Sequence, residues 1–369
     1  MKILYATNEF QNNMALWQKY HFIDELKGHG VQFELVLLNK YDKPDDFNRD
    51  IIKRIKDCDL FLTAFSEKNV YVKTVERIKE EGIPTVLICF DNLVMPYFHK
   101  HVAKHYDLVW LTSKETEPLF KKWGAKTVFL PYAANPNLYS GGNHEKNRVV
   151  FIGTPYGSRK RMLAPLINND VRIDLFYLPP AKQGYQEEKS HLGQTIKQNK
   201  SGFFSKIKIL SYHFLNKMGF KIGRKLILSS LLRRFSKVDF DINRKNVNVF
   251  PAVDISSLFE TYSQYGLSIS SSSAVNTGYL KTPVPIINLR NFEIPMAGLA
   301  QICRYNEELS NYFEEGKEII FYRNDKELVE KCRYFLDEKN RKELLEIGSN
   351  ARKRSVQEHT WFCRFKRIF

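Results

Sequence analysis

Four groups of residues in this chain of 369 have types and spacings that can do chemistry. The first is Gly153-Thr154-Pro155-Tyr156-Gly157, which follows an apolar run at 148–152 and precedes a helix from Ser158. A glycine at such a junction lets backbone N–H groups approach a phosphate, and the helix N-terminus favours the negative charge. Arg159 and Lys160 in the next turn add cations that can neutralise it, although a solvated basic helix face explains them too. The second group is a pair of carboxylates, Asp91 and Glu9, each just beyond an apolar run (85–90 and 2–6). A carboxylate there can serve as a general base, and a turn or N-cap aspartate before Pro96 is the competing role for Asp91. The third is His99, His101 and His105. On a helix over 97–105, His101 and His105 share a face at metal-capable spacing, yet no third ligand is near, so a surface or packing role is expected. The fourth is Asp239-Phe240-Asp241, a paired-carboxylate spelling that closes a basic segment instead of following a core strand, and no metal is expected there.

The elements that must position these groups alternate. Short apolar runs at 2–6, 31–38, 60–65, 85–90, 108–111 and 127–130 read as strands. Between them, 16–27, 45–56, 70–81, 97–105 and a stretch from a Ser113 cap to Trp123 read as helices, several closed by glycine. Such a rhythm builds a doubly wound parallel sheet, with ligands at the carboxyl ends of its strands. Residues 131–147, with Pro131, Pro136, Gly141, Gly142 and four asparagines, read as a linker. A second α/β rhythm follows, with strands at 148–152, 173–177, 247–250, 267–270, 284–288 and 319–322. Helices are expected at 255–262, from about 292, at 326–336 and at 340–358. The expected organisation is 1–140, 148–355 with a basic helical insertion at 183–245, and a C-terminal helix at 356–369 returning to the first domain.

Composition narrows the class. A net charge of +16 and a pI near 9.4 point to an anionic partner. Fourteen Lys or Arg against four acids in 183–245 supply most of that surplus. Within it, residues 203–235 read as two amphipathic helices joined near Gly219–Gly223, able to lie on an anionic membrane surface or to pack on their own domain. No apolar run approaches the ~20 residues of a membrane span, and the first residues lack the parts of a signal peptide, so a cytoplasmic location is expected. Five scattered cysteines without a CxxC pair read as buried reduced thiols.

Asn288-Leu-Arg290-Asn-Phe292-Glu293-Ile-Pro295-Met-Ala297-Gly298 resembles a motif of the group 1 glycosyltransferases, in particular their spore-maturation (CgeB-like) branch. The runs Glu314–Tyr322 and Glu358-His359-Thr360-Trp361 with Arg364 resemble it too, as do Tyr132-Ala-Ala-Asn135-Pro136 and Phe151-Ile-Gly153 with Tyr156 and Arg159.

The resemblance implies a GT-B fold, two Rossmann-like domains facing across a cleft, and transfer of a sugar from a nucleotide-sugar to a glycan or lipid-linked acceptor. It implies that Glu293 accepts hydrogen bonds from ribose hydroxyls, with a first-turn helix acid as the alternative. A second glutamate usual eight positions earlier is replaced by Pro285. Gly153, Tyr156, Arg159, Lys160, Asn288, Arg290 and Phe292 are the companion donor-binding candidates. Gly298, just inside the helix, is expected to allow close packing on the nucleotide side. In the first domain, Asp91 or Glu9 would deprotonate the acceptor, and no metal cofactor is expected. A non-catalytic nucleotide- or RNA-binding module and a GT-B sugar-nucleotide epimerase remain alternatives, although no RNA-binding motif is present.

Overall fold

The computed structural model describes residues 1–11, 13–93, 96–139, 142–177 and 219–369. They form two compact units. The first comprises Met1–Ser140, Ile287–Met296 and Lys353–Phe369, and the second Gly141–Ile286 and Ala297–Arg352.

In the first unit six parallel strands, β1 (Lys2–Thr7), β2 (Gln32–Leu37), β3 (Leu60–Thr63), β4 (Thr85–Cys89), β5 (Leu108–Leu111) and β6 (Thr127–Phe129), lie in the order β2-β1-β3-β4-β5-β6. Side chains alternate across the sheet. Leu4, Ala6, Leu87, Cys89, Val109 and Leu111 pack in one core with Phe47 and Ile51 of the helix Pro44–Arg54 and Val75 and Ile78 of the helix Val72–Glu80. Tyr5 and Trp110 belong to an aromatic cluster with Phe22 and Trp361, the Phe22 and Trp361 rings being 5.1 Å apart.

The C-terminal segment is fastened by its own motif. Thr360 caps the helix Trp361–Phe365, and the buried Glu25 accepts hydrogen bonds from the backbone N–H of Trp361 and Phe362, both 2.9 Å. Arg364, fully buried, donates to the carbonyls of Pro131 and Glu358.

The second unit is a parallel sheet of β7 (Lys146–Ile152), β8 (Ile173–Phe176), β9 (Val247–Phe250), β10 (Tyr265–Ser270), β11 (Ala300–Arg304) and β12 (Ile320–Tyr322), in the order β12-β11-β10-β7-β8-β9. Its core joins Val149, Ile173, Leu267 and Ile302 to Leu163 and Leu166 of the helix Ser158–Asn168, Leu328 and Cys332 of Asp325–Phe335, and Leu344 and Ile347 of Arg341–Glu358. Both doubly wound sheets expected from the alternation are present. All five cysteines are free.

Several local expectations need correction. Residues 97–105 are no helix: they form two short 3-10 turns, Pro96–His99 and Ala103–His105, so His101 and His105 share no helix face. The first helix is interrupted by a π turn over Gln18–Ile23. Ser113 caps nothing through its side chain, and its N–H is taken by Asn92 Oδ1. The strand expected at 284–288 is a single bridge, Ser273 to Pro285, because Pro283 and Pro285 cannot donate to a ladder. The strand missed there is β11. The expected linker begins as packed structure, with Tyr132, Ala133, Ala134 and Asn135 all buried. Residues 287–296, expected in the second domain, belong to the first unit.

Candidate functional site

Both sheets have a topological switch point, where consecutive connections run in opposite directions and leave a crevice at the strand ends. In the first unit it lies between β1 and β3, and in the second between β7 and β10.

At the first switch point a cavity of about 540 Å³ opens over the ends of β1 and β3. Thr7, Asn8 and Glu9 line it from β1, Ala64, Phe65 and Asn69 from beyond β3, and Gln11, Gln18, Asn39 and Phe98 complete the wall. Glu9 is held at both ends. Its N–H donates to Asn39 Oδ1 at 2.8 Å, and its Oε2 accepts from the Gln11 amide at 2.6 Å. Gln18 Oε1 accepts the Tyr5 hydroxyl at 2.6 Å, which fixes that amide on the wall. Among the described residues, the polar part of the wall is amides, one hydroxyl and one carboxylate beside two aromatic rings, with no cation. Side-chain amides and carboxylates suit hydroxyl-rich ligands, since they offer donors and acceptors side by side. The amides and Phe98 were not singled out in the sequence. Polar residues in loops carry no periodicity, and only their position just after strands marks them.

Asp91, the other carboxylate, follows β4 but does not line this cavity. Its backbone is left-handed, at φ 51°, a conformation uncommon for residues other than glycine. The Tyr132 hydroxyl donates to its Oδ1 at 3.0 Å and accepts its N–H at 3.2 Å. The residue as a whole is exposed, yet atoms crowd its carboxyl, and that desolvation raises its pKa against the lowering effect of Tyr132. Next to it, the buried Asn92 accepts the N–H groups of Thr112 and Ser113, which ties the end of β4 to the end of β5.

His99 is a buried packing residue. Its Nε2 lies 3.0 Å from the Ala64 carbonyl, and burial lowers its pKa to about 4. His105 pairs with Glu76 at 3.1 Å. Among the described residues no group of His, Cys, Asp and Glu is placed to hold a metal. Asp239 and Asp241 lie on an exposed turn, bonded to Arg244 and to the Asn243 N–H.

At the second switch point the loops after β7 and β10 interlock. Gly153 has φ 140°, Gly157 φ 53° and Val275 φ 45°. A positive φ at a β-branched residue is strained, and strain of this kind gathers at ligand sites. Ser158 Oγ donates to the Val275 carbonyl at 2.5 Å, and a Cβ on Gly157 would stand 2.1 Å from Asn276 Oδ1. Among the described residues no side chain caps the start of the helix Ser158–Asn168, where the Arg159 N–H donates to the Tyr156 carbonyl at 3.1 Å. Arg159 folds back on its loop, donating to the Thr154 carbonyl at 3.2 Å with its guanidinium 4.7 Å from the Tyr156 ring centre. Lys160 lies over Phe240 instead. Beside the helix start, Arg161, Arg304 and Ser271–Ser273 line a small polar cavity. These were missed, although a run of four serines at the end of a strand, Ser270 to Ser273, was a readable sign.

The donor candidates of the 288–298 motif fall elsewhere. Glu293 is 1% exposed, its Oε1 3.0 Å from His21 Nε2 and its Oε2 2.6 Å from Arg290 Nη1. Burial alone would raise its pKa, but Arg290 and His21 outweigh that and hold it below the usual value. Phe292 is fully buried against His359 and Arg364. Asn288 Oδ1 accepts the Arg290 N–H at 3.0 Å, a capping bond. Gly298 lies beyond the helix Arg290–Met296, not inside it. At φ 83° it turns the chain into β11, and Gly348 packs on its carbonyl. The structure therefore brings Gly153, Tyr156 and Arg159 together in the second unit, and Asn288, Arg290, Phe292 and Glu293 together in the first.

Residues 224–369 match the glycosyl transferase-like family. Among solved structures, the chain is similar to the Anabaena protein HepE in complex with UDP-glucose, with a TM-score of 0.55 and 14% identity over 100% of this chain and 98% of that one. It is also similar to sucrose-phosphate synthase from Thermosynechococcus elongatus (TM-score 0.55, 10% identity, 100% and 97% covered). A glycosyltransferase from Rickettsia africae gives a TM-score of 0.54 at 9% identity, with 100% and 96% covered. No curated protein sequence matches it. The fold is that of the GT-B enzymes, and the class that fold and family match define is a glycosyltransferase.

Proposed function

We propose that this glycosyltransferase takes its sugar from a nucleoside diphosphate donor bound at the β7/β10 switch point and passes it to a hydroxyl of a glycan or lipid-linked acceptor held over β1 and β3. The observation that carries the donor assignment is the uncapped start of the helix Ser158–Asn168, set between two loops with left-handed residues. Its N–H groups would receive the diphosphate, and Arg159 and Arg161 would neutralise the charge left on it as the glycosidic bond breaks. In this reading the chain's own cations do that work and no resident metal is required.

Glu9, inside the amide-lined cavity, accepts the proton of the attacking hydroxyl. Glu293 acts through Arg290: with both oxygens engaged and no exposed surface, it positions that guanidinium and does not touch ribose directly. HepE was solved with UDP-glucose, which makes UDP-sugars the first donors to try. The spore-maturation branch rests on the resemblance of the sequence motifs, and a role in bacterial surface polysaccharide assembly rests on analogy with that family.

The basic insertion supports a peripheral membrane role. Among the described residues no helix is long and apolar enough to cross a membrane. The helix Phe220–Phe235 turns Gly223, Leu226 and Ser229 inward, while Phe220 and Phe235 are 72% and 75% exposed among Lys221, Arg224, Arg233 and Arg234. It is continuous through Gly223, so the expected junction at 219–223 is only its beginning. The other expected helix, before 219, lies outside the described residues.

The test is thermal stabilisation by UDP, GDP and CDP, on the wild type and on Arg161→Ala. One diphosphate should raise the melting temperature, and Arg161→Ala should weaken that rise. No response to any of them would move the reading to the non-catalytic module.

A further inference from the structure

A second cavity in the first unit, about 720 Å³, has no part in the reading above. It lies between the helices Pro44–Arg54 and Val72–Glu80, on a face of the sheet and not at its carboxyl edge. Its floor is the buried Asn48 and Thr74 with the half-buried Ile52 and Tyr71. Asn48 makes the floor rigid. Its amide donates to the Pro44 and Asn69 carbonyls at 2.8 and 2.7 Å, and its Oδ1 accepts from Tyr71 N at 3.0 Å and Thr74 Oγ1 at 2.7 Å.

The rim is cationic. Arg49 and Arg77 are already paired, with Asp46 and with Glu80 and Glu81. Asp45, the one acid of the rim, interacts with the Tyr71 hydroxyl. Lys53, Lys56 and Lys73 are exposed, and among the described residues no carboxylate lies within ion-pair distance of any of them. Three uncompensated ammonium groups thus surround a cleft whose walls are Ile52, a tyrosine ring and the alkyl stems of the lysines.

We propose that this cleft docks the anionic headgroups of a phospholipid surface. Its chemistry matches such a ligand in both parts, phosphate for the lysines and glycerol with upper acyl carbons for the walls of Ile52, Tyr71 and the lysine stems. A single-stranded nucleic acid fits less well, because it needs exposed ring faces to stack on. The only ring here, Tyr71, has Lys73 Nζ over its face at 5.3 Å. The proposal stands on these residues alone and does not depend on where the donor binds.

The experiment is flotation of the full chain with phosphatidylcholine vesicles, with and without phosphatidylglycerol. Lys53→Gln/Lys56→Gln/Lys73→Gln is compared with Lys326→Gln/Lys339→Gln/Lys342→Gln, which removes the same charge from the other unit. At about fivefold per cation, the groove variant should lose binding on the order of a hundredfold, and the control should lose far less. Equal loss in both variants, full binding by the groove variant, or no dependence on phosphatidylglycerol overturns the proposal. Binding of an RNA oligonucleotide that exceeds vesicle binding and is lost in the groove variant overturns it as well. Should the variant fold poorly, hydrogen exchange on the wild type decides. Vesicles should protect 44–56 and 72–80, and protection confined to other segments refutes the assignment.

Discussion

His21 Nε2 and Glu293 Oε1 lie 3.0 Å apart in the interior of the first unit, although their residues come from opposite ends of the chain. His21 stands in the π turn Gln18–Ile23, and its other nitrogen, Nδ1, accepts the Asn135 N–H at 3.2 Å. One imidazole thus joins the first helix, the 131–139 segment and the 287–296 segment. Removing one partner of a buried pair leaves the other charge uncompensated, so Glu293→Ala should cost about 3–5 kcal/mol in chemical denaturation. The folded pKa of Glu293 is depressed, so its stabilisation is present above the unfolded carboxyl value and lost as pH falls through the folded one. Wild-type stability should therefore drop steeply on the acid side of about pH 4.5, and the drop should be shallower in the variant.

Glu25 has the opposite sign. Desolvation pushes its pKa up to about 7, against the lowering effect of the Phe362 and Trp361 N–H groups and of Arg364. A carboxyl whose folded value is raised stabilises most below its unfolded value and loses that contribution as pH rises through about 7. The loss amounts to about 3 kcal/mol between pH 4 and 8. Melting curves across that range should show the C-terminal helix loosening first, and Glu25→Gln should flatten the profile.

The two sheets were legible in the sequence because their strands are buried runs separated by amphipathic helices, patterns that the order of residues along the chain records. The 284–288 and 300–304 segments show where that reading ends. Val284 to Asn288 is as apolar as a strand, but Pro285 within it and Pro283 before it leave the ladder, while Ala300-Gln-Ile-Cys-Arg304 pairs with β10 and β12 behind a short helix. The site was legible in part. Glu9 and Gly153 could be placed because each lies within two residues of a strand's end. That Glu293 turns into a buried pair with His21, and Phe292 onto Arg364, depends on contacts across the whole chain that no local pattern carries.

The two strand-end carboxylates separate by substitution. Glu9 lines the cavity over β1 and β3, and Asp91 is tied to Tyr132 outside it. Glu9→Gln keeps the size and removes the base, so kcat should fall roughly 10²–10⁴-fold with little change in donor KM. Asp91→Asn can still accept the Tyr132 hydroxyl, so it should alter kcat only severalfold. If Asp91→Asn is instead the inactive variant, the base is Asp91, and its raised pKa predicts an acid limb of kcat/KM above the ordinary aspartate range.

Gly157 and Gly30 form a matched pair for testing the donor loops. Both have positive φ, 53° and 83°, so alanine strains the backbone at either. A Cβ at Gly30 meets nothing within 4 Å, whereas one at Gly157 stands 2.1 Å from Asn276 Oδ1. Gly30→Ala should therefore cost about 1–3 kcal/mol of stability from strain alone, with unchanged kinetics. Gly157→Ala must in addition push Asn276 aside, moving the loop after β10 away from the start of the helix Ser158–Asn168. If the diphosphate is bound there, donor KM should rise at least tenfold in that variant, and nucleotide-independent stability should fall further than in Gly30→Ala. Equal kinetics in the two variants would place the donor elsewhere.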